Sequence, residues 1–307
     1  MGLIKNKKGI FFTALAIVLL SLFVLSYTFY SGVQQRKTIQ QRIETMQNFM
    51  DSLEEDIPRK LYVSGFRIIF LFEKEIVETG NYITDLDTKF SELIISGTLN
   101  DEFMEIMNQA TISDIEQFIQ EDADKKNIDI TMSNSVVSIS QDDPWNVKIS
   151  LTTDFHMSDK AGLASWDKPD WVIDAYVPIE GFEDPLYLLG YPGGPTPNII
   201  KEIVKSNIDS PPFDLAELNT FALDSTYIFN PDAPSFLNRL QGSSTADLKA
   251  GIESAVHIPS YGPAPSYGSV IDYLFFDNND GDFPPGVIPG TPSWFILDNS
   301  HRNYYGY

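Results

Sequence analysis

An α+β protein with its helices first and its strands afterwards is predicted by three features of the sequence. A charge-free apolar run occupies Ile10 to Tyr30, apolar residues at heptad spacing follow it, and alternating segments begin only after Lys126. The expected order is a transmembrane helix over 10–30, a helical stalk and helical layer over 31–126, and an antiparallel β-rich extracellular head over 127–307. Residues 1–9 make a short basic leader, and the second half of the head is rich in proline and glycine.

As a helix, Ile10–Tyr30 spans about 31 Å, the thickness of a bilayer's hydrocarbon layer. Tyr27 and Tyr30 stand at its far end, where amphipathic rings prefer the headgroup level. Lys5, Lys7 and Lys8 precede the run, whereas Arg36 and Lys37 begin several residues beyond it. That bias favours a single pass, with the short end in the cytoplasm and the large part outside. The rival reading is a removable secretory signal cut near Ser31-Gly32, but such signals have a shorter apolar core.

The formal charge is -22, and it is unevenly placed: 8 basic and 5 acidic residues up to Lys60, then 13 basic and 38 acidic. A body so negative argues against nucleic acid as a partner. Cysteine is absent, which excludes disulfides, thiolate zinc sites and cysteine nucleophiles.

Lys7, Lys8 and Gly9 followed by Ile10-Phe11-Phe12 and an unbroken apolar helix resemble the class III signal of type IV pilin-like proteins, particularly the archaeal ones. The resemblance implies cutting by a membrane-embedded prepilin-type peptidase between Gly9 and Ile10. The retained helix would serve first as a lipid anchor and then, by self-association, as the core of a filament. The pattern departs from the family at Ala14, where bacterial pilins usually carry glutamate, and at Phe12, where many archaeal ones carry glutamine. A looser resemblance, to uncharacterised membrane-anchored exported proteins of small-genome archaea, rests on "RIETMQNFMDSLEEDIPRKLYVSGFR", "QDDPWNV" and "GFEDPLY"; it implies an architecture and no chemistry.

Beyond Tyr30, Ile39, Ile43, Met46, Met50, Leu53 and Ile57 recur at steps of four and three, the seam of a helix packing lengthwise on another helix or on its own domain. Pro58 is expected to end or bend this helix. A further helix is expected from Asn100 to about Lys125, with Ser113 and Glu116 at capping-box spacing.

In the head, Val147, Ile149, Leu151, Thr153 and Phe155 alternate with polar residues, and Ile173, Ala175, Val177 and Ile179 repeat the pattern, so both are strands. Residues 128–139 are expected to hold a hairpin-like pair. From Pro169 onward the chain has 17 of its 19 prolines and 12 of its 19 glycines, marking turns and irregular crossings. Short helices are expected at Ile199–Val204 and within Ser244–Val256, and a last strand at Val270–Phe276 whose Asp272 needs solvent or a partner.

The sequence offers little chemistry. "DNNDGD", Asp277 to Asp282, reads as an acidic turn or as a calcium loop whose first and twelfth positions fall on Phe276 and Val287; Asp277, Asn279, Asp280 and Asp282 are its candidate ligands. No other cofactor is implied. His156, His257 and His301 sit at no recognised metal spacing. There is no G-x-S-x-G elbow and no phosphate-binding glycine loop. The carboxylate pairs Asp142-Asp143 and Glu183-Asp184 are expected by number in so acidic a chain. Trp145, Trp166 and Trp171 surround the two clear strands, as core rings or as a sugar-stacking platform. The expected function is therefore non-enzymatic: a pilin-like structural subunit of an archaeal cell-surface filament. The alternatives are a non-assembling anchored surface or adhesion protein and, third, an extracellular hydrolase.

Overall fold

The computed structural model describes residues 7–189, 200–208, 210–257, 269–277 and 287–307, with the backbone alone for 7–10. It has an α+β architecture, opening with one helix, α1, that runs unbroken for 73 residues from Lys7 to Thr79. At 1.5 Å per residue α1 is about 110 Å long. Its apolar first part is long and apolar enough to cross a membrane, and none of that segment is buried. The first fully buried side chain is Met46.

The helix does not end at Pro58. Proline removes the amide that would bind the Glu54 carbonyl, but Glu54 is exposed, so water can replace the lost donor. Ile57 and Leu61 on either side are completely buried, and their packing keeps the helix continuous through the defect. Of the predicted seam, Met46, Met50, Leu53 and Ile57 face the protein's own core, while Ile43 stays exposed.

Helix α2 (Leu86–Ser96), a two-stranded ribbon of β1 (Thr98–Leu99) and β2 (Glu102–Phe103), and α3 (Ile112–Lys125) come next. The helix expected from Asn100 thus begins only at Ile112, after left-handed residues at Asn100 and Asp101 and a short helical turn at Glu105–Met107. Its capping box is Thr111 with Asp114 rather than Ser113 with Glu116: the Asp114 amide donates to the Thr111 hydroxyl and the Thr111 amide to the Asp114 carboxylate.

The sheet is an antiparallel meander, β3 (Ile128–Asp143), β4 (Asn146–Asp159) and β5 (Ser165–Pro178), in the order β3-β4-β5. Residues 128–139 belong to one long strand instead of a hairpin; register shifts between Ser133 and Val136 and between Ser140 and Asp143 account for their irregular pattern. In β4, Val147, Ile149, Leu151, Phe155 and Met157 point inward against a layer formed by α1, α2 and α3. Gly65 lets α1 lie against the sheet, since a Cβ there would stand 2.7 Å from Ile149 Cγ1.

After Pro178 the chain is a set of short elements around a second core, so strand content is concentrated in 128–178. These are α4 (Pro185–Leu189), α5 (Leu215–Asp224), β6 (Ile228–Phe229), α6 (Phe236–Leu240), β7 (Ile252–Glu253), α7 (Asp272–Phe276) and α8 (Asn299–Tyr305). Three local expectations fail here. Residues 200–204 are extended, with Glu202 bridged to Glu183, because their amides and carbonyls pair with the 182–184 segment. Within 244–256 the chain turns about Asp247, whose carboxylate accepts from the Lys249 and Ala250 amides, and then enters β7. Residues 272–276 are a helix, which buries both Phe275 and Phe276 where a strand would send them to opposite faces.

Candidate functional site

Three places in the molecule carry more than packing. The first is the free front of α1, where residues 11–30 are exposed on every side. The junction with the body comes at Arg42, whose guanidinium binds the Asp159 carboxylate and the backbone carbonyls of Lys126 and Asn127. Buried Asp159 also accepts from the Ala161 and Leu163 amides. Burial opposes its charge, but Arg42 and these amides outweigh that and hold the carboxyl below its ordinary range.

The second is a buried ionic hub. Arg239 of α6 is completely enclosed, with Nη1 at 2.6 Å from Asp184 and 2.9 Å from Asp272, and Nη2 on the Ile252 carbonyl. Burial disfavours the guanidinium charge, but Asp184 and Asp272 more than restore it. Asp184 also accepts from the Tyr227 hydroxyl at 2.7 Å and from the Leu186 amide at the start of α4. Asp272 accepts from the Ser254 and Tyr273 amides; burial pushes its carboxyl up to about 6, with Arg239 pulling the other way. One arginine thereby ties α4, α6, α7 and the end of β7 together. Beside the hub, Glu73 of α1 is buried with Oε1 unpartnered. Burial, then the charges of Glu183 and Asp184, raise it to about 8, so it carries a proton at neutral pH.

A neighbouring network centres on His301. Its Nδ1 lies 2.5 Å from Asp298 and its Nε2 3.0 Å from Glu253, and Glu253 further accepts from the Tyr305 hydroxyl at 2.7 Å. Burial disfavours the charged ring, yet the two carboxylates raise it to about 10. With both nitrogens donating, His301 is a fixed cation with no lone pair to act as a base.

The third place is a cleft of about 360 Å³ above the hub. Its walls include the rings of Tyr82, Tyr273 and Phe276, and its polar rim includes Asn81, Ser243 and Asp277. Tyr82 follows the end of α1, is tied in by the Ile83 amide donating to the Leu240 carbonyl, and lays its ring over Gly242, where any Cβ would collide with it. Gly242 has φ +65, a conformation costly for other residues.

The residues singled out from sequence are dispersed. Lys7, Lys8, Gly9 and Ile10 lie in the first turns of α1. Asp277 caps the end of α7 on the cleft rim, while Asn279, Asp280 and Asp282 lie outside the described residues. Among the described residues no three metal-ligating side chains are grouped as a metal site. Trp171 is buried edge-on against Phe155, Trp145 sits under Lys205, and Trp166 is exposed, so the three form no common platform. His156 pairs with Asp167 at 2.6 Å on the surface, and Asp143 holds the β3–β4 turn through the Trp145 amide. Arg239 and Glu73 were not legible as site residues, since their partners lie far along the chain; the aspartate of the Val270–Phe276 segment was the one signal. Compared with protein-family models, with curated proteins and with solved structures, the chain matches none.

Proposed function

We propose that the chain is a membrane-anchored, surface-displayed structural subunit of the pilin-like type. A prepilin-type peptidase cuts between Gly9 and Ile10, residues 10–30 hold the protein in the bilayer, and the acidic body is presented outside. The observation that carries this reading is α1 itself. One uninterrupted helix is exposed and apolar along its front and packs one face into the folded core along its rear. Self-association of the fronts would then form a filament core while the bodies face solvent.

One observation favours a second reading, a non-assembling anchored surface protein. Met46, Met50, Leu53 and Ile57 are all taken up by the protein's own core, leaving no seam in that stretch for a neighbouring helix. Mass spectrometry of chains from native membranes tests processing: Ile10 as the first residue supports the pilin-like reading, and an intact Met1 rejects it. Imaging of the same membranes then separates the two. Filaments with a regular axial repeat of bodies support assembly, and dispersed single bodies support simple anchoring.

A further inference from the structure

Three helices end at the cleft described above. The chain leaves α1 through Gly80 and Asn81, α6 is followed by Gly242 and Ser243, and α7 finishes at Phe276 and Asp277; all of these residues line the cavity, as do Leu186 and Leu189 of α4. A helix presents its carbonyls and the negative end of its dipole at its C-terminus. In α1 that dipole is fully developed; the two short helices contribute mainly the local carbonyl direction. The described lining contains the Asp277 carboxylate and neither lysine nor arginine. The buried cations behind it are already paired, Arg239 by Asp184 and Asp272, and His301, whose Nε2 lies 3.4 Å from the Tyr273 hydroxyl, by Asp298 and Glu253. On the cleft wall, burial, then Asp184, push the Tyr82 phenol up to about 12, with Arg239 opposing and Asp277 adding to the rise.

A negative cleft could hold a metal or an organic cation, and the wall chemistry separates the two. Hard metals want several oxygen ligands converging on one point, whereas the described lining offers one carboxylate, Asp277, beside three aromatic side chains. Aromatic faces are what an alkylammonium group uses, since their quadrupole attracts a weakly hydrated cation. We propose that this cleft binds a small organic ammonium ion, its alkyl groups against Tyr82, Tyr273 and Phe276 and its charge balanced by Asp277 and the end of α1. The cavity is of the size that small-molecule sites have, and it lies in the body, so it needs neither processing nor assembly of the anchor.

The test is titration calorimetry of the full chain in a maltoside detergent with three probes: choline, its uncharged carbon isostere dimethylbutanol, and Ca²⁺. Choline is expected to bind roughly tenfold more tightly than the isostere, and Ca²⁺ is expected neither to bind in the cleft nor to displace choline. Asp277→Asn, a change at an exposed residue, should weaken choline by about two- to fivefold. Tyr82→Leu should weaken it at least about threefold, whereas Tyr82→Phe, which keeps the ring, should bind as the parent does. The proposal is overturned if choline does not bind, if the isostere binds equally, if Ca²⁺ takes its place, or if choline affinity ignores Asp277→Asn.

Discussion

Replacing Glu73 by glutamine should make the body more stable, and increasingly so as the pH rises. Glu73 is only 8% exposed, one of its oxygens has no partner, and its carboxyl is raised from 4.5 to about 8. Below pH 4.5 both the folded and unfolded chains keep the proton, and the residue contributes no pH dependence. Above 4.5 the unfolded chain releases it while the folded one retains it, so stability falls until the folded carboxyl also ionises near 8. Linkage between these two values puts the loss at ~1 kcal/mol by pH 5, ~3 by pH 7 and ~5 by pH 9. Against a total stability of about 5–15 kcal/mol, such a loss is large. Glutamine keeps the shape and cannot ionise. Denaturant unfolding at pH 5, 7 and 9, followed by fluorescence of the four tryptophans, all in the body, measures the difference between variant and parent. His301 adds its own loss as the pH rises from 6.5 through about 10, but it is present in both proteins and cancels. A difference that is the same at pH 5 and pH 9 would refute the reasoning, because it would mean that Glu73 ionises in the fold as easily as in water.

Two further substitutions probe the same body. Arg239→Met should cost about 3–5 kcal/mol in the same unfolding experiment, because Asp184 and Asp272 would be left buried with their cation gone; a loss below ~1 kcal/mol would mean that solvent reaches the hub. Gly65→Ala should cost about 1–3 kcal/mol, since the new methyl must displace Ile149 and Val177, and thermal melting should show a lower midpoint.

What could be read beforehand follows the range of the interactions involved. The sheet strands were legible because Val147 through Phe155 and Ile173 through Val177 alternate over a single wet-and-dry period, which the chain states locally. The long helix was legible for the same reason, although Pro58 pointed to an end or a bend where the helix does not end. Its neighbours Ile57 and Leu61 are buried by a sheet that begins some seventy residues later, and no local rule contains that. In the second half, short elements are set by distant partners. Residues 200–204 are extended because the 182–184 backbone requires pairing, and 272–276 coil because Arg239 and the Ser254 amide grip Asp272. The cleft was invisible for the same cause, since its walls come from four separated stretches of sequence.

The way α1 enters the body bears on how the molecule would carry tension. A pull on the front of the helix travels along its axis into a rod packed along one face against the sheet and its companion helices. Arg42, gripping Asp159 and two carbonyls, is the first fastening to feel it. Beyond that point Met46, Phe49, Leu53, Ile57 and Leu61 follow along the buried face, so a pull along the axis loads them in shear. Resistance to extraction is thus distributed over the whole lap between rod and sheet, which is how a tether is kept from tearing out at its root.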